Sequence, residues 1–269
     1  MKAYVILITA AFFALICVGA YADITTGLVS MWSFEGGSGA DSQGRNNGTV
    51  RGATVAAGKF GDCLSFDGTD DYVEISDSPS LRLPEGLTVA AWINVKTSVD
   101  HGGICAKHVM IGWGANFSWR IATAGGNTLT WGRCKTGAEN YFATDNVLPG
   151  TNQWVHVALT CMSPDAPTNQ RAYVNGRDIT DVTGQTANLA AAPPFLVFEG
   201  TPVEIGVGRG YGGVAGADRF FNGLIDEVGI WNRGLTVDEI EEVMTKGLPS
   251  RYSVEANGKM PITWGRIKE

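Results

Sequence analysis

The sequence predicts an all-β protein, an antiparallel sandwich of two sheets with one short helix near the C-terminus. Short runs of alternating apolar and polar residues, rich in β-branched and aromatic side chains, recur along the chain. The 36 glycines fall between these runs and form no simple repeat, which is typical of tight turns between many strands. A helical pattern is clear only after residue 235. Together these features favour a sandwich.

Alternation and aromatic content predict the strands in chain order. They are expected at residues 28–34, 63–66, 72–75, 87–95, 103–107, 117–122, 128–134, 154–161, 171–174, 203–207 and 221–231. The dipeptides Asp67-Gly68 and Asn175-Gly176 supply the positive backbone angles that tight turns need. Thr236 and Glu239 have the spacing of a capping box, so a helix is expected from there to about Lys246.

The two ends of the chain differ from its middle. Lys2 precedes an uncharged apolar run that ends in a small-x-small site at Ala22, which predicts a signal peptide over residues 1–22. Residues 23–248 then form one domain, and the polar residues 249–269 form a tail. We therefore expect export to the periplasm, the cell surface or the medium, without membrane insertion after cleavage.

The charge of the chain argues against binding to nucleic acid. The chain has 20 basic and 27 acidic residues, and loss of Lys2 with the leader leaves a net charge of −8. Lys and Arg form no block, whereas affinity for a phosphate backbone comes from clustered cations.

Four cysteines remain after the leader: Cys63, Cys105, Cys134 and Cys161. An even number in an oxidising compartment allows two disulfides. Cys105 and Cys134 lie on two apolar segments that we expect to be neighbours in a sheet, so that pair is predicted. The alternative is that the cysteines are free buried thiols, which pack as small apolar side chains.

Asp226 is the most informative single residue. Strict alternation along its strand places Leu224, Asp226, Val228 and Ile230 on one face, the most continuously apolar face of the strand. An ionised carboxylate alone in such a place costs several kcal/mol. The sequence therefore predicts that Asp226 is paired, hydrogen-bonded or bound to a cation.

Six motifs in order resemble the laminin-G-like, concanavalin A-like jelly-roll domains of secreted bacterial proteins. The motifs are Phe66-Asp67-Gly68 with Asp71-Tyr72-Val73, Leu87 to Ile93, Trp154 to Ala158, Tyr173 to Arg177, Ile205-Gly206 and Gly223 to Val228. The resemblance runs from about Gly27 to Gly247. It implies a jelly roll of two sheets with six or seven strands each. In such domains the first and last strands are often neighbours, which brings Glu35 towards Asp226.

The resemblance also implies a structural calcium ion. Glu35, Asp41 and Asp226, together with backbone carbonyls, form an all-oxygen set of the kind that calcium prefers. The alternative is that Asp226 accepts hydrogen bonds from backbone amides or pairs with an arginine such as Arg45 or Arg233. Asp70 and Asp71 form a weaker candidate in an acidic turn.

Aromatic residues in the glycine-rich middle segments are candidate ligand contacts. Trp113, Trp131 and Tyr211 are predicted to bind a carbohydrate, because sugars are held by aromatic faces together with a few polar groups. Tyr211 is surrounded by glycines, which favours its exposure.

The sequence favours a binding module over an enzyme. The strand motif Glu-x-Asp-x-x-Glu of related hydrolases keeps only its central Asp226 here, and no nucleophile elbow occurs. We therefore expect a non-catalytic module for an extracellular glycan or protein. The alternatives are a structural component of a cell-surface or extracellular assembly and, third, a glycoside-active enzyme.

Overall fold

A computed structural model of the chain describes residues 23–108, 117–133, 141–180, 195–209 and 218–248. These residues form two antiparallel sheets and one α-helix, which confirms the predicted fold class. The predicted leader, the tail, Trp113, Cys134 and Tyr211 lie outside the described residues. In the described part of the chain, no helix has the length and apolar character needed to span a bilayer.

The described residues contain seventeen strands and the helix α1. The strands are β1 (Leu28–Trp32), β2 (Gly48–Arg51), β3 (Thr54–Ala57), β4 (Asp62–Asp67), β5 (Tyr72–Ile75), β6 (Leu87–Val95), β7 (Gly103–His108), β8 (Phe117–Ala124), β9 (Thr128–Arg133), β10 (Tyr141–Thr144), β11 (Trp154–Ser163), β12 (Ala166–Val174), β13 (Arg177–Asp178), β14 (Val203–Ile205), β15 (Val207–Gly208), β16 (Arg219–Phe220) and β17 (Asn222–Trp231). Helix α1 spans Val237–Lys246. Two short 3-10 helices lie at Glu35–Gly37 and Pro79–Leu81.

Two large sheets form the sandwich. The eight-stranded sheet has the order β13-β12-β11-β6-β17-β4-β3, with β1 also paired to β17. The seven-stranded sheet has the order β10-β9-β8-β7-β14-β5-β2, and β15 pairs with β16 in a separate ribbon. Pairing of β1 with β17 confirms that the first and last predicted strands are neighbours.

Five strands escaped the sequence analysis: β16 of the two-stranded ribbon, and four edge strands of the large sheets. β13 and β3 end the eight-stranded sheet, and β10 and β2 end the seven-stranded sheet. β2, β3 and β13 contain no buried residue. An edge strand that buries neither face has no need for the apolar alternation by which strands are recognised.

Two apolar cores hold the layers together. The larger lies between the sheets and includes Trp32, Phe66, Trp119 and Trp131. The smaller lies between the outer face of the eight-stranded sheet and the C-terminal segment. It consists of Ile24, Met31, Ala90, Ala158, Tyr173, Trp231, Leu235, Ile240, Val243 and Leu248.

A β-bulge in β17 corrects the predicted orientation of Asp226. Glu227 has a φ of 51°, and the pairing with β6 shifts between Asp226 and Gly229. The extra residue places Ile225 and Val228 in the core between the sheets. Asp226 follows Ile225 directly and therefore points to the opposite, outer face. The expectation that Asp226 shares a face with Val228 is wrong.

The two turn dipeptides have different roles. Asn175 and Gly176 have φ angles of 50° and 76°, and they join β12 to β13 as a two-residue hairpin. Gly68 also has a positive φ, at 83°, but β4 and β5 belong to different sheets. The Asp67-Gly68 turn therefore carries the chain from one sheet to the other.

The three cysteines within the described residues follow the alternative interpretation. Cys63, Cys105 and Cys161 are free, buried thiols. Cys105 packs in the core between the sheets, so the predicted bridge from Cys105 to Cys134 is not formed. Burial raises the pKa of Cys63 to about 12 and that of Cys161 to about 11, so both thiols keep their protons near neutrality.

Replacement of Thr236 by alanine tests the predicted helix cap. Thr236 Oγ1 accepts the Glu239 N–H at 3.3 Å, and Glu239 Oε2 accepts the Thr236 N–H at 2.8 Å. We expect Thr236→Ala to lower the free energy of unfolding by about 1 kcal/mol in urea denaturation. Thr245→Ala, on an exposed position of the same helix, should change it by less than about 0.5 kcal/mol. Equal losses in the two variants would contradict the cap.

Candidate functional site

Asp41, one of the three predicted calcium ligands, closes a loop. Its Oδ1 accepts the N–H groups of Met31 at 2.9 Å and Gln43 at 3.0 Å. Its Oδ2 accepts the N–H groups of Arg45 at 3.2 Å and Asn46 at 3.0 Å. Four amides aimed at one carboxylate stabilise its charge and fasten the loop after β1 to that strand.

Glu35 and Asp226 meet at the turn between β3 and β4. Asp226 Oδ2 accepts the N–H groups of Lys59 at 2.8 Å and Phe60 at 3.0 Å. Glu35 Oε2 accepts the Asp62 N–H at 3.2 Å. The two acids are thus brought to the same turn, as the pairing of the first and last strands implies, and both hold its main chain.

This donor set does not fit one calcium ion shared by the three acids. An amide N–H presents its positive end, and these amides occupy oxygens of all three carboxylates, where calcium would need free oxygens. Among the described residues, Asp67, Asp70 and Asp71 form the one group of three or more potential metal ligands whose ligand atoms lie within 4.8 Å of one another. Calcium binding by Glu35, Asp41 and Asp226 stays a prediction, and the contacts favour the backbone-amide alternative.

The acidic turn after β4 is held by its own hydrogen bonds. Asp71 is 6% exposed, and its Oδ2 accepts the Asp67 N–H at 2.9 Å. Asp67 Oδ1 accepts the Thr69 N–H at 2.7 Å. Asp67 and Asp70 are exposed. These hydrogen bonds stabilise the turn from β4 to β5, and this turn brings the three acids close together without a metal ion.

One oxygen of Asp226 is left without a partner. The residue is fully buried, and Oδ1 has no hydrogen-bond partner. Burial raises the pKa of Asp226 to about 7, and the nearby Glu227 charge adds to the increase. A proton on Oδ1 removes the penalty of a buried charge while Oδ2 keeps its two amides.

The predicted aromatic contact Trp131 lies in the core. Its side chain is fully buried between the sheets, and Nε1 donates to Thr144 Oγ1 at 3.4 Å. Trp131 therefore offers no ring face to a ligand at the surface. The alternation of β9 points the Trp131 side chain inward. The neighbouring glycine-rich segment, on which the sequence prediction depended, gives no information about this orientation. Trp113 and Tyr211 lie outside the described residues.

A different aromatic group lies on the outer face of the seven-stranded sheet. We call Tyr72, Glu204, Arg209, Asp218 and Phe220 the Arg209 cluster. Tyr72 and Glu204 point outward because their strand neighbours, including Val73, Val203 and Ile205, lie in the core between the sheets. Tyr72 and Phe220 are both half-buried, with ring centroids 6.5 Å apart.

Arg209 organises this cluster. Its Nε lies 2.9 Å and 3.0 Å from the two carboxylate oxygens of Glu204, and its Nη2 lies 2.6 Å from Oε1. Nη1 donates to Asp218 Oδ2 at 2.6 Å. The guanidinium carbon lies 4.5 Å from the centroid of Tyr72 and 6.0 Å from that of Phe220. Paired carboxylates and stacked rings fix the guanidinium in one orientation.

His108 joins the edge of the cluster as a neutral ring. The Arg209 N–H donates to His108 Nδ1 at 3.2 Å, so the ring proton sits on Nε2. Burial lowers the pKa of His108 to about 3, and the charges of Arg120 and Arg209 act in the same direction. The ring is therefore uncharged near neutrality, with its proton on Nε2.

The Arg209 cluster combines features that suit a polyhydroxylated ligand. Two half-exposed rings offer apolar faces, and charged groups of fixed orientation offer donors and acceptors. Sequence analysis missed it because its members come from β5, β14, β16 and the segments beside β15 and β16. The one available signal was the outward position of Tyr72 in the Asp71-Tyr72-Val73 motif.

Comparison with known proteins supports the fold on independent grounds. The family profile of the concanavalin A-like lectin/glucanases superfamily matches residues 67–241. No curated protein sequence matches the chain significantly.

Several solved structures are similar to this chain. Domain 4 of AbnA, a GH43 extracellular arabinanase from Geobacillus stearothermophilus, solved with arabinotriose, is 18% identical with a TM-score of 0.57, and the match covers 80% of this chain and 97% of that domain. The binding domain of Paraclostridial Mosquitocidal Protein 1 is 15% identical with a TM-score of 0.58, over 82% of this chain and 52% of that one. Trypanosoma rangeli sialidase is 17% identical with a TM-score of 0.57, over 81% of this chain and 32% of the sialidase. At sequence identities this low, the similarity to these structures shows a shared fold.

Replacement of Asp226 by asparagine tests its protonation. Because burial raises its pKa from 3.8 to about 7, the folded state holds the proton more tightly than the unfolded state. The stability that this carboxyl contributes is complete below about pH 4 and is lost as the pH rises through about 7. We expect the difference in unfolding free energy between wild type and Asp226→Asn to fall by on the order of 1–3 kcal/mol over that range.

Urea denaturation at several pH values measures this difference. If the difference in unfolding free energy between the two proteins does not change with pH, Asp226 does not hold a proton near neutrality. Melting with EDTA and with added calcium separates the two interpretations of Asp226. A wild-type melting temperature that does not change with EDTA or calcium is expected if Asp226 holds backbone amides and a proton. Stabilisation by calcium that is lost in Asp226→Asn would show that Asp226 binds the ion.

Proposed function

The chain belongs to the concanavalin A-like lectin/glucanase superfamily, and on that basis we propose that it is an exported, non-catalytic module that binds an extracellular glycan. We place the binding surface at the Arg209 cluster, on the outer face of the seven-stranded sheet. The observation that carries the proposal is the pair of half-buried rings, Tyr72 and Phe220, next to each other and to one fixed guanidinium. A rigid sheet that presents rings and oriented polar groups suits sugar recognition.

Chain connectivity supports this choice of surface. The segment 109–116, which contains Trp113, follows His108, and the segment 210–217, which contains Tyr211, connects Arg209 to Asp218. The Arg209 N–H donates to His108, and Arg209 pairs with Asp218. Three of the four ends of these two segments therefore meet at the cluster. Trp113 and Tyr211, two of the three aromatic residues predicted as ligand contacts, belong to these two segments of the sequence.

The charges of the cluster support binding over catalysis. A retaining glycosidase needs a nucleophile and an acid on either side of the scissile bond, about 5 Å apart. Here the two carboxylates of the cluster, Glu204 and Asp218, both accept hydrogen bonds from one guanidinium. Asp226, the remnant of the hydrolase strand motif, is buried under the Lys59-Phe60 turn of the other sheet.

Substitution of the two rings tests the surface. We expect Tyr72→Ala and Phe220→Ala each to weaken binding to a glycan identified on an array by about tenfold, because each removes a stacking face at the centre of the surface. Val55→Ala removes an exposed apolar side chain, 51% accessible, from the edge of the other sheet and should leave binding unchanged. Titration calorimetry of each variant with the selected oligosaccharide gives the measurement.

Three outcomes would contradict the proposal. If the two ring variants bind the glycan as tightly as the wild type does, the binding surface is not at the Arg209 cluster. A fixed oligomer that is lost on deletion of residues 250–269, with no glycan bound by the wild type, would favour the assembly role. Release of reducing sugar from a polysaccharide by the purified protein would show an enzyme.

A further inference from the structure

The anion-binding edge of Arg209 is already occupied by the protein itself. The edge formed by Nε and Nη2 presents two parallel N–H groups, the geometry with which arginine holds a carboxylate or another oxyanion. Glu204 fills this edge, since its Oε1 lies 2.9 Å from Nε and 2.6 Å from Nη2. Asp218 Oδ2 accepts Nη1 at 2.6 Å. An acidic sugar that used this arginine would have to displace a carboxylate already in place.

These ion pairs are partly shielded from water. The side chain of Glu204 is 8% exposed, that of Asp218 17% and that of Arg209 19%. Burial alone would lower the pKa of Arg209, but its hydrogen bonds to Glu204 and Asp218 raise it above the ordinary value. The guanidinium therefore keeps its charge, and both acids remain bound to it. Charge-assisted hydrogen bonds of this kind are about twice as strong as neutral ones.

Negative charge predominates directly beside the two rings. One guanidinium faces two carboxylates, and the neutral ring of His108 adds no positive charge. Glu74 lies opposite Glu204 in the pairing of β5 with β14, so both side chains are on the same outer face. Arg51 approaches Glu74 only at 3.8 Å, between exposed side chains, where solvent screens the pair.

Two further arginines of this region are placed less favourably for a ligand at the rings. Arg120 lies two strands from Glu204, because Ala106 stands between them in the register of β14, β7 and β8. Two strand spacings are about 10 Å, comparable to the distance over which physiological salt screens a charge. Arg219 precedes Phe220 in β16, and alternation turns its side chain to the opposite face of the ribbon from that ring.

We propose that the Arg209 cluster selects uncharged glycans and rejects acidic ones, such as uronic acid polymers and sulfated or sialylated chains. Tyr72 and Phe220 offer stacking faces, and the oxygens of the two acids accept hydrogen bonds from sugar hydroxyls. A sugar carboxylate or sulfate meets like charges there and finds the paired edge of Arg209 filled. This inference rests on the proposed glycan binding at the cluster and names the class of glycan.

Matched derivatives of one polymer test the selectivity. A β-glucan, a mannan and an arabinan are first screened by affinity electrophoresis of the full chain in native gels. The polymer that binds is then compared as its hydroxyethyl and carboxymethyl derivatives of equal substitution, which are similar in size and differ in charge. We expect the carboxymethyl form to bind the wild type at least about tenfold more weakly than the hydroxyethyl form.

Glu204→Gln removes one negative charge and keeps the shape of the side chain. We expect it to raise the ratio of carboxymethyl to hydroxyethyl affinity at least about fivefold at low salt, because it weakens the repulsion. Asp238→Asn, at an exposed position in the first turn of α1, makes the same charge change away from the cluster and should leave the ratio unchanged.

Salt dependence gives a second measurement that needs no variant. Added sodium chloride should strengthen binding of the wild type to the carboxymethyl form, because it screens the repulsion, and should leave binding to the hydroxyethyl form unchanged. Carboxymethyl binding that weakens with salt would overturn the selectivity, as would an unchanged affinity ratio in Glu204→Gln.

The outcomes separate this inference from the proposed function. If the wild type binds both derivatives equally and Tyr72→Ala loses both, the selectivity is wrong and glycan binding at the cluster stands. If no polymer, neutral or acidic, binds the wild type, the proposed function fails and the selectivity fails with it.

Discussion

Buried carboxylates that accept backbone N–H groups hold the irregular parts of this fold onto its two sheets. Asp226 fastens the turn between β3 and β4, and Asp41 closes the loop after β1. Glu227 accepts the Leu248 N–H at the end of the helical segment, and Glu239 completes the cap of α1. At these four places the chain leaves a sheet or begins or ends a helix, its amides lose their regular partners, and an acid supplies the acceptor. The turns and the helix keep their positions because of these contacts.

Burial of strand faces explains which strands could be predicted from the sequence. Strands that bury at least one face, such as β6 and β11, carry the apolar runs by which they were recognised. The edge strand β3 buries neither face and carries no such signal. The bulge at Glu227 was equally invisible, because a positive φ at a glutamate follows from tertiary contacts and not from residue preference. The fold class was therefore predictable, but the orientation of Asp226 was not.

Some residues of the candidate sites could be predicted from the sequence, and others could not. Sequence analysis identified Glu35 and Asp226 as partners, and the structure brings both to one turn through its amides. It could not identify Arg209 as the centre of a site, because the contacts with Tyr72 and Phe220 depend on which strands are adjacent. Trp131 shows the converse, since one step of alternation decides whether a tryptophan faces the core or the solvent.

The two sheets therefore have different roles in our account. The outer face of the eight-stranded sheet is covered by α1 and by the turn that Asp226 holds, whereas the outer face of the seven-stranded sheet carries the rings and charges at which we propose that a ligand binds. We infer that the buried Asp226 carboxyl holds two main-chain amides and a proton. Carbon-13 NMR titration of the Asp226 carboxyl, with and without calcium, tests it most directly. We expect a pKa near 7 and no response to calcium; a pKa at or below the ordinary 3.8, or a shift on adding the ion, would show that Asp226 does not hold this proton.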